Sequence, residues 1–454
     1  MPTYRYPPGP KPGPIFGNAM QLRKGPLDYV TQLQRTYGDA ATIYLGKRPA
    51  VLFARPEAIR YVLIENARNF TNREATENLR LLLGDGLLSI DGDFHRQQRR
   101  LVQPAFHKQR IESYRDAMVS CTRRVLAEWQ PGEERDVADE MMRLTMHIVA
   151  KTLFNVDIAS QSERIGQAFH DASLFANRSR APFNRLRINL PFTAYGKYLR
   201  ARKFLDDTIN GIIAQRRASG DDTGDVISML LKAEDEDGST MTDQQARDEL
   251  LTLLAAGHAT TANTLTWTFY LLSEHPAVRE KLLAELQRVL GGRAPTVDDL
   301  AQLPYLDMVV KESMRLYPPA WTQARFTTGD FEYGGYVIRR GTIILLSQWV
   351  THRLPDLWPE PEAFKPERFD PETGQKYHPQ AYFPFGAGSR ICIGMPFANL
   401  EARILLATIL QRFMPRLKPG FPVVPQPMIT LFPKFGLQMT LEPAATGEEA
   451  LLRP

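Results

Sequence analysis

From residue 93 to about 290, apolar residues recur every three or four positions, the spacing of one buried helical face. Breaks fall near Pro104, Pro131-Gly132, 182–191 and 219–224, all rich in residues that interrupt helices. Shorter helical patterns cover 26–37 and 56–68. Between them, ATIYLGKRPAVLFA predicts a hairpin turning at Gly46-Lys47. Thr242, with Gln245 three residues on, forms a capping box and opens a pattern that runs to Ser273. A helix of that length is roughly 48 Å long and must cross the middle of the molecule. HPAVREKLLAELQRVLGG reads as an amphipathic helix stopped by Gly291-Gly292, and PYLDMVVKESMRLYPP as one bounded by prolines. After Pro319 the pattern changes. ARFTTGDFEYGGYVIRRGTIILLSQW and VVPQPMITLFPKFGLQMTLEP carry β-branched runs and glycine turns. The expected fold is mainly α with a small β subdomain, in a single domain over 1–454. Its α-rich body covers about 70–320 and 350–420, and its β-rich part about 38–55, 320–350 and 422–443.

Composition narrows the class. Hydrophobic residues are 43% and charged residues 24%, as in ordinary globular proteins. A net charge of +5 is too weak to imply nucleic acid but suits an acidic partner protein. The segment 250–273 is long enough to span a bilayer, yet its histidine, asparagine and threonines fit a buried central helix instead. Neither a secretory signal nor a membrane span is predicted. Two cysteines make no disulfide framework, which fits a reducing, cytoplasmic setting. Cys121, in SYRDAMVSCTRRVLAEW, reads as a small buried filler.

Cys392 is different. It lies in FGAGSRICIG, 385–394, just before the helical pattern ANLEARILLATILQRF. Unpaired N–H groups and the dipole at a helix N-terminus favour a thiolate. One thiolate with no second cysteine or histidine pair does not suit tetrahedral zinc, but it suits a single axial ligand of haem iron. A buried cysteine in a glycine-rich loop is the other reading of this segment taken alone.

The motif Phe385-Gly-x-Gly-x-Arg390-x-Cys392-x-Gly394 resembles the haem-binding loop of the cytochrome P450 family, matching every specified position. KESMRLYPP, FKPERF, HRQQRRLVQPAF and LLAAGHATTANT resemble further family segments in the same order. The resemblance implies haem b, with Cys392 as the iron ligand and Phe385 and Gly394 shaping its loop. It implies a buried structural network of Glu312, Arg315 and Arg368. It assigns the haem propionates to His95, Arg99, Arg325 and Arg390. It makes Ala256, Gly257 and Thr260 the oxygen-binding groove, with the Thr260 hydroxyl relaying a proton. Here the chain departs from the family pattern: Ala259 stands where an acid is usual, and a methyl group carries no proton. Leu82, Leu87, Ala256, Trp321 and Phe432 are the implied substrate contacts, apolar walls that suit a fatty acid, terpenoid or steroid-like molecule. The lid arginines Arg178, Arg180, Arg185 and Arg187 are read as exposed loop charges.

The implied activity is a haem-thiolate monooxygenase that hydroxylates an apolar small molecule with dioxygen. No flavin, nicotinamide or iron–sulfur fingerprint occurs, so electrons are expected from a separate ferredoxin or flavodoxin and its reductase. Arg96, Arg100, Lys108 and Arg110 form the candidate docking surface, and a monomer is expected. Ala259 leaves open a peroxide-driven peroxygenase or a haem-thiolate isomerase. A haem sensor or ligand carrier is the non-enzymatic alternative.

Overall fold

ATIYLGKRPAVLFA folds as the hairpin its pattern predicts: Ala40–Leu45 pairs antiparallel with Arg48–Phe53, and Gly46 turns at positive φ. The computed structural model describes residues 4–156, 161–178, 188–220, 225–234, 238, 240–374 and 376–444. Arg180, Arg185 and Arg187 of the expected lid, and 235–237 and 239 of the acidic run before the central helix, lie outside the described residues.

Two units divide the chain: Met1–Ala75 with Lys311–Cys392, and Thr76–Val310 with Ile393–Pro454. In the first, a five-stranded sheet has the order 40–45, 48–53, 343–346, 323–327, 70–71. Only the pairing of Arg48–Phe53 with Ile343–Leu346 is parallel. Alternating side chains feed opposite faces of this sheet. Val51, Phe53, Ile344 and Leu346 pack on one side, and Ala50, Leu52 and Ile343 on the other. Gly334-Gly335 closes a second hairpin, Phe331–Tyr333 with Tyr336–Ile338.

The helix expected over 56–68 is more broken than its pattern. An α-helix Pro56–Arg60 passes into a π turn, Tyr61–Glu65, and then a 3₁₀ turn, Ala67–Asn69. Asn66 N–H reaches back five residues to the Tyr61 carbonyl. The Leu63 carbonyl lies so close to Gly388 that a Cβ there would collide with it. That contact, remote in sequence, leaves no trace in the 56–68 pattern.

The second unit is helical around Asp243–Glu274, 32 residues long, with the Thr242–Gln245 capping box formed in both directions. Helix Val137–Leu153 packs against it where Gly257 lacks a side chain; a Cβ there would stand 3.1 Å from Val149. The Thr145 hydroxyl on that helix donates to the His258 carbonyl (3.0 Å). This unit has sheets of its own: 134–136, 438–443, 413–417 in that order, and the pair 425–427 with 431–433. Strand therefore occurs in both units, and Phe413–Leu417 is a strand within the stretch assigned to the α-rich body. Pro415 masked it, because proline argues against a central strand. It is tolerated here because this strand is an edge of its sheet. Among the described residues no helix is long and apolar enough to cross a membrane.

Candidate haem-thiolate site

In the first unit the Cys392 loop is held mainly by its own backbone. Gly386 and Gly388 adopt positive φ (74° and 70°), which glycine does at little cost. Gly386 N–H donates to the Phe383 carbonyl (2.9 Å), Ile391 N–H to Gly388 (3.0 Å) and Cys392 N–H to Phe385 (2.9 Å). These turns leave the Cys392 side chain exposed, three residues ahead of helix Met395–Leu410. Gly386 rests beside the Gln323 side chain (3.3 Å to an added Cβ), and Gln323 Oε1 accepts from Arg325 Nη2 (3.3 Å). The structure thus brings Arg325 to the loop that holds Arg390 and Cys392. The Trp321 carbonyl, just upstream, accepts from Trp349 N–H and Ser347 Oγ, both at 3.1 Å.

Glu312, Arg315 and Arg368 form the expected buried cluster. Helix Pro304–Leu316 carries the first two. Arg315 binds both Glu312 oxygens (2.7 and 2.8 Å), and its remaining donors reach the carbonyls of His352, Pro361 and Ala363. Every donor of a fully buried guanidinium is therefore satisfied, as burial of a charge requires. Arg368 Nε donates to Glu312 (3.2 Å) and its Nη2 to the Glu360 carbonyl (2.8 Å).

Sequence reasoning missed His352, which links this cluster to the cysteine loop. Its carbonyl takes Arg315, while its ring Nε2 accepts from Phe383 N–H (3.0 Å) at the start of the loop. Burial, with Arg315 and Arg353 nearby, pushes its pKa well below the usual histidine range, so the ring is neutral and able to accept. Nothing near His352 in the sequence marked it, since its partners lie over 30 residues away.

In the second unit, His95 and Arg99 lie one turn apart on Gly92–Val102, His95 buried and Arg99 half-buried. The central helix is buried along most of its length, yet Ala256 is exposed and Ala255, Gly257, Ala259 and Thr260 are partly so. That interruption is an open window in an otherwise covered helix. The Thr260 hydroxyl donates to the Ala256 carbonyl (2.7 Å), leaving its lone pairs available to accept. Phe432 is held alongside the same helix: Asn263 donates to Thr430 (3.1 Å) and Trp267 Nε1 to the Leu431 carbonyl (3.0 Å). Leu82 and Leu87 are buried near its N-terminal half, in a segment bonded to Arg247 and Glu249. Gly394 caps helix Met395–Leu410, its carbonyl taking Ala398 N–H (2.9 Å).

A second missed residue is Glu401 on that helix, fully buried. Burial pushes its carboxyl up to about 8, and the Thr261 hydroxyl only partly offsets this. A lone acid in NLEARILLATIL was the available signal.

The exposed thiol on the glycine-built loop of the first unit fits a prosthetic group bound through sulfur. Comparison with known proteins gives the family. The family described as Cytochrome P450 matches residues 7–438. The cyclooctat-9-en-7-ol 5-monooxygenase of Streptomyces melanosporofaciens is 38% identical, over 91% of this chain and 90% of that protein. The pentalenene oxygenase of Streptomyces avermitilis is 32% identical, over 97% of this chain and 98% of that protein. Among solved structures, a retinoic acid-bound cyanobacterial CYP120A1 superposes with a TM-score of 0.87 at 28% identity, covering 97% of this chain and all of that one. The chain belongs to the cytochrome P450 family. It is a monooxygenase whose cofactor is haem b.

Proposed function

We propose that this enzyme hydroxylates an apolar, terpenoid-like molecule, using dioxygen and two electrons from a separate acidic donor protein. The observation that carries this reading is the loop that holds Cys392 exposed, fixed by its own turns and by His352. The names of the two Streptomyces relatives, which refer to cyclooctat-9-en-7-ol and pentalenene, support the substrate class.

In this reading Cys392 ligates the haem iron as thiolate, and His95, Arg99, Arg325 and Arg390 hold the propionates. Haem, when bound, supplies oxygen activation, which thiolate ligation favours. Phe385 and Gly394 keep the sulfur in place. Leu82, Leu87, Trp321 and Phe432 exclude water and orient the apolar substrate. Ala256, exposed in the window, leaves room for dioxygen, whereas the space Gly257 leaves is filled by Val149 of helix Val137–Leu153, a correction to its expected place in the groove. Thr260 Oγ1 accepts a hydrogen bond through its open lone pairs and passes protons through its hydroxyl; Ala259 adds nothing to that relay.

The test is a reduced, carbon monoxide difference spectrum of the purified protein. The wild type is expected to give the band of thiolate-ligated haem. Cys392→Ser is expected to lose it while haem content is retained or falls. A serine variant with unchanged bands defeats the assignment. Product formed with NAD(P)H and redox partners, and not with hydrogen peroxide alone, separates monooxygenation from the peroxide-driven alternative that Ala259 raises.

A further inference from the structure

Arg247, Asp248 and Glu249 are consecutive on the central helix, and all three are buried. Consecutive helix residues point about 100° apart, so one neighbour can meet all three only by curling around the helix. The segment LLGDGL, 82–87, does so. Arg247 Nη2 donates to the Leu82 carbonyl (3.4 Å). The Asp248 carboxylate accepts from Asp85 N–H (2.8 Å), and Glu249 Oε2 from Leu87 N–H (3.0 Å). The two glycines are what allow this approach. A Cβ on Gly84 would collide with the Asp248 carboxylate, and one on Gly86 with the Thr252 hydroxyl and the Asp248 carbonyl.

The grip is itself braced. Arg247 Nη1 and Gln244 Nε2 both donate to Asp248 at 2.7 Å, and Arg247 also pairs with Asp206 on helix Ala194–Ser219. Glu249 is pushed up to about 8, chiefly by burial, so it is mostly neutral at pH 7 and adds little repulsion beside Asp248. Apolar packing alone would let this loop slide by small steps. Buried acceptors on named amides fix it atom by atom, because a hydrogen bond weakens steeply with misalignment.

We propose that Asp248 and Glu249 are positioning residues for substrate selection: by holding the amides of Asp85 and Leu87 they fix Leu82 and Leu87 as a rigid wall, so that the pocket discriminates by shape. This rests on the reading of Leu82 and Leu87 as substrate contacts. It adds two residues that act only through the loop.

Hydrogen–deuterium exchange on the haem-loaded protein tests the grip, and binding of imidazole against 4-phenylimidazole tests selection. In the wild type the amides of Asp85 and Leu87 are expected to exchange slowly. Glu249→Leu removes an acceptor, and Gly86→Ala pushes the loop away without changing any charge. Each is expected to speed exchange at 83–88 by about tenfold or more, while the thiolate band stays. In both, the affinity ratio of the two azoles is expected to move by about tenfold, whereas Glu249→Gln, which keeps an acceptor, stays close to wild type. Protection that survives in both disruptive variants overturns the grip. Protection lost with an unchanged ratio overturns the role in selection. A wild type lacking the thiolate band overturns the haem reading instead, and the exchange measurement still decides whether the grip exists.

Discussion

Glu401 shows how much one buried carboxyl governs. Its usual value is 4.5 and burial raises it to about 8, so between these values the folded chain keeps a proton that the unfolded chain has released. The associated stability is complete below about pH 4.5 and is lost as pH rises towards 8. Glu249 is raised to about 8 for the same reason and adds a parallel loss. Each contributes up to about 1.4 kcal/mol per pH unit within that window. Glu401→Gln keeps the shape and removes the titration. Denaturant unfolding of the variant at pH 5 and pH 8 is therefore expected to show a clearly smaller difference than the wild type. An equal difference would mean that Glu401 ionises in the fold without penalty.

Helices and loops carry the next level of order. Helix Pro304–Leu316 does more than pack. Through Glu312 and Arg315 it fixes carbonyls at 352, 361 and 363, and through His352 it fixes the first amide of the cysteine loop. Arg315→Ala takes two donors from the buried Glu312 carboxylate, leaving it Arg368, and unpairs the three carbonyls; a loss of about 3–5 kcal/mol is expected by chemical denaturation. Arg315→Lys is expected to recover little, since an ammonium has three donors where five are used. A lysine variant of wild-type stability would reduce the cluster to simple charge pairing. The elements most legible from sequence were those with local punctuation. The capping box at Thr242 opened the central helix at the expected place, and Gly46-Lys47 marked the first hairpin. The π turn over Tyr61–Glu65 and the strand Phe413–Leu417 were not legible. Gly388, which packs on the turn's Leu63 carbonyl, is remote in sequence, and a proline spoils the strand's pattern.

Charge acts over the molecule as a whole. The net +5 is modest, and the candidate docking cations are partly neutralised at home: Arg96 pairs with Asp93, and Lys108 approaches Glu112 (3.7 Å). All four cations are nevertheless exposed, as attraction of an acidic electron donor requires. Reduction by such a donor is expected to slow as salt rises, because exposed charges more than about 8 Å apart are largely screened at physiological ionic strength. Arg100→Glu and Arg110→Glu are expected to slow it further at low salt. A reduction rate indifferent to salt and to both substitutions would place docking elsewhere. Cap residues, hydrophobic period and the glycine-cysteine motif were readable because each acts within a few neighbouring positions. That range was enough for the fold class and the central helix, and for singling out Cys392 as the candidate ligand. His352 under the loop, the neutral acids Glu249 and Glu401, and the grip of Asp248 on Asp85 emerged only on folding. They depend on desolvation and on contacts between residues far apart in the chain, and no local pattern encodes either.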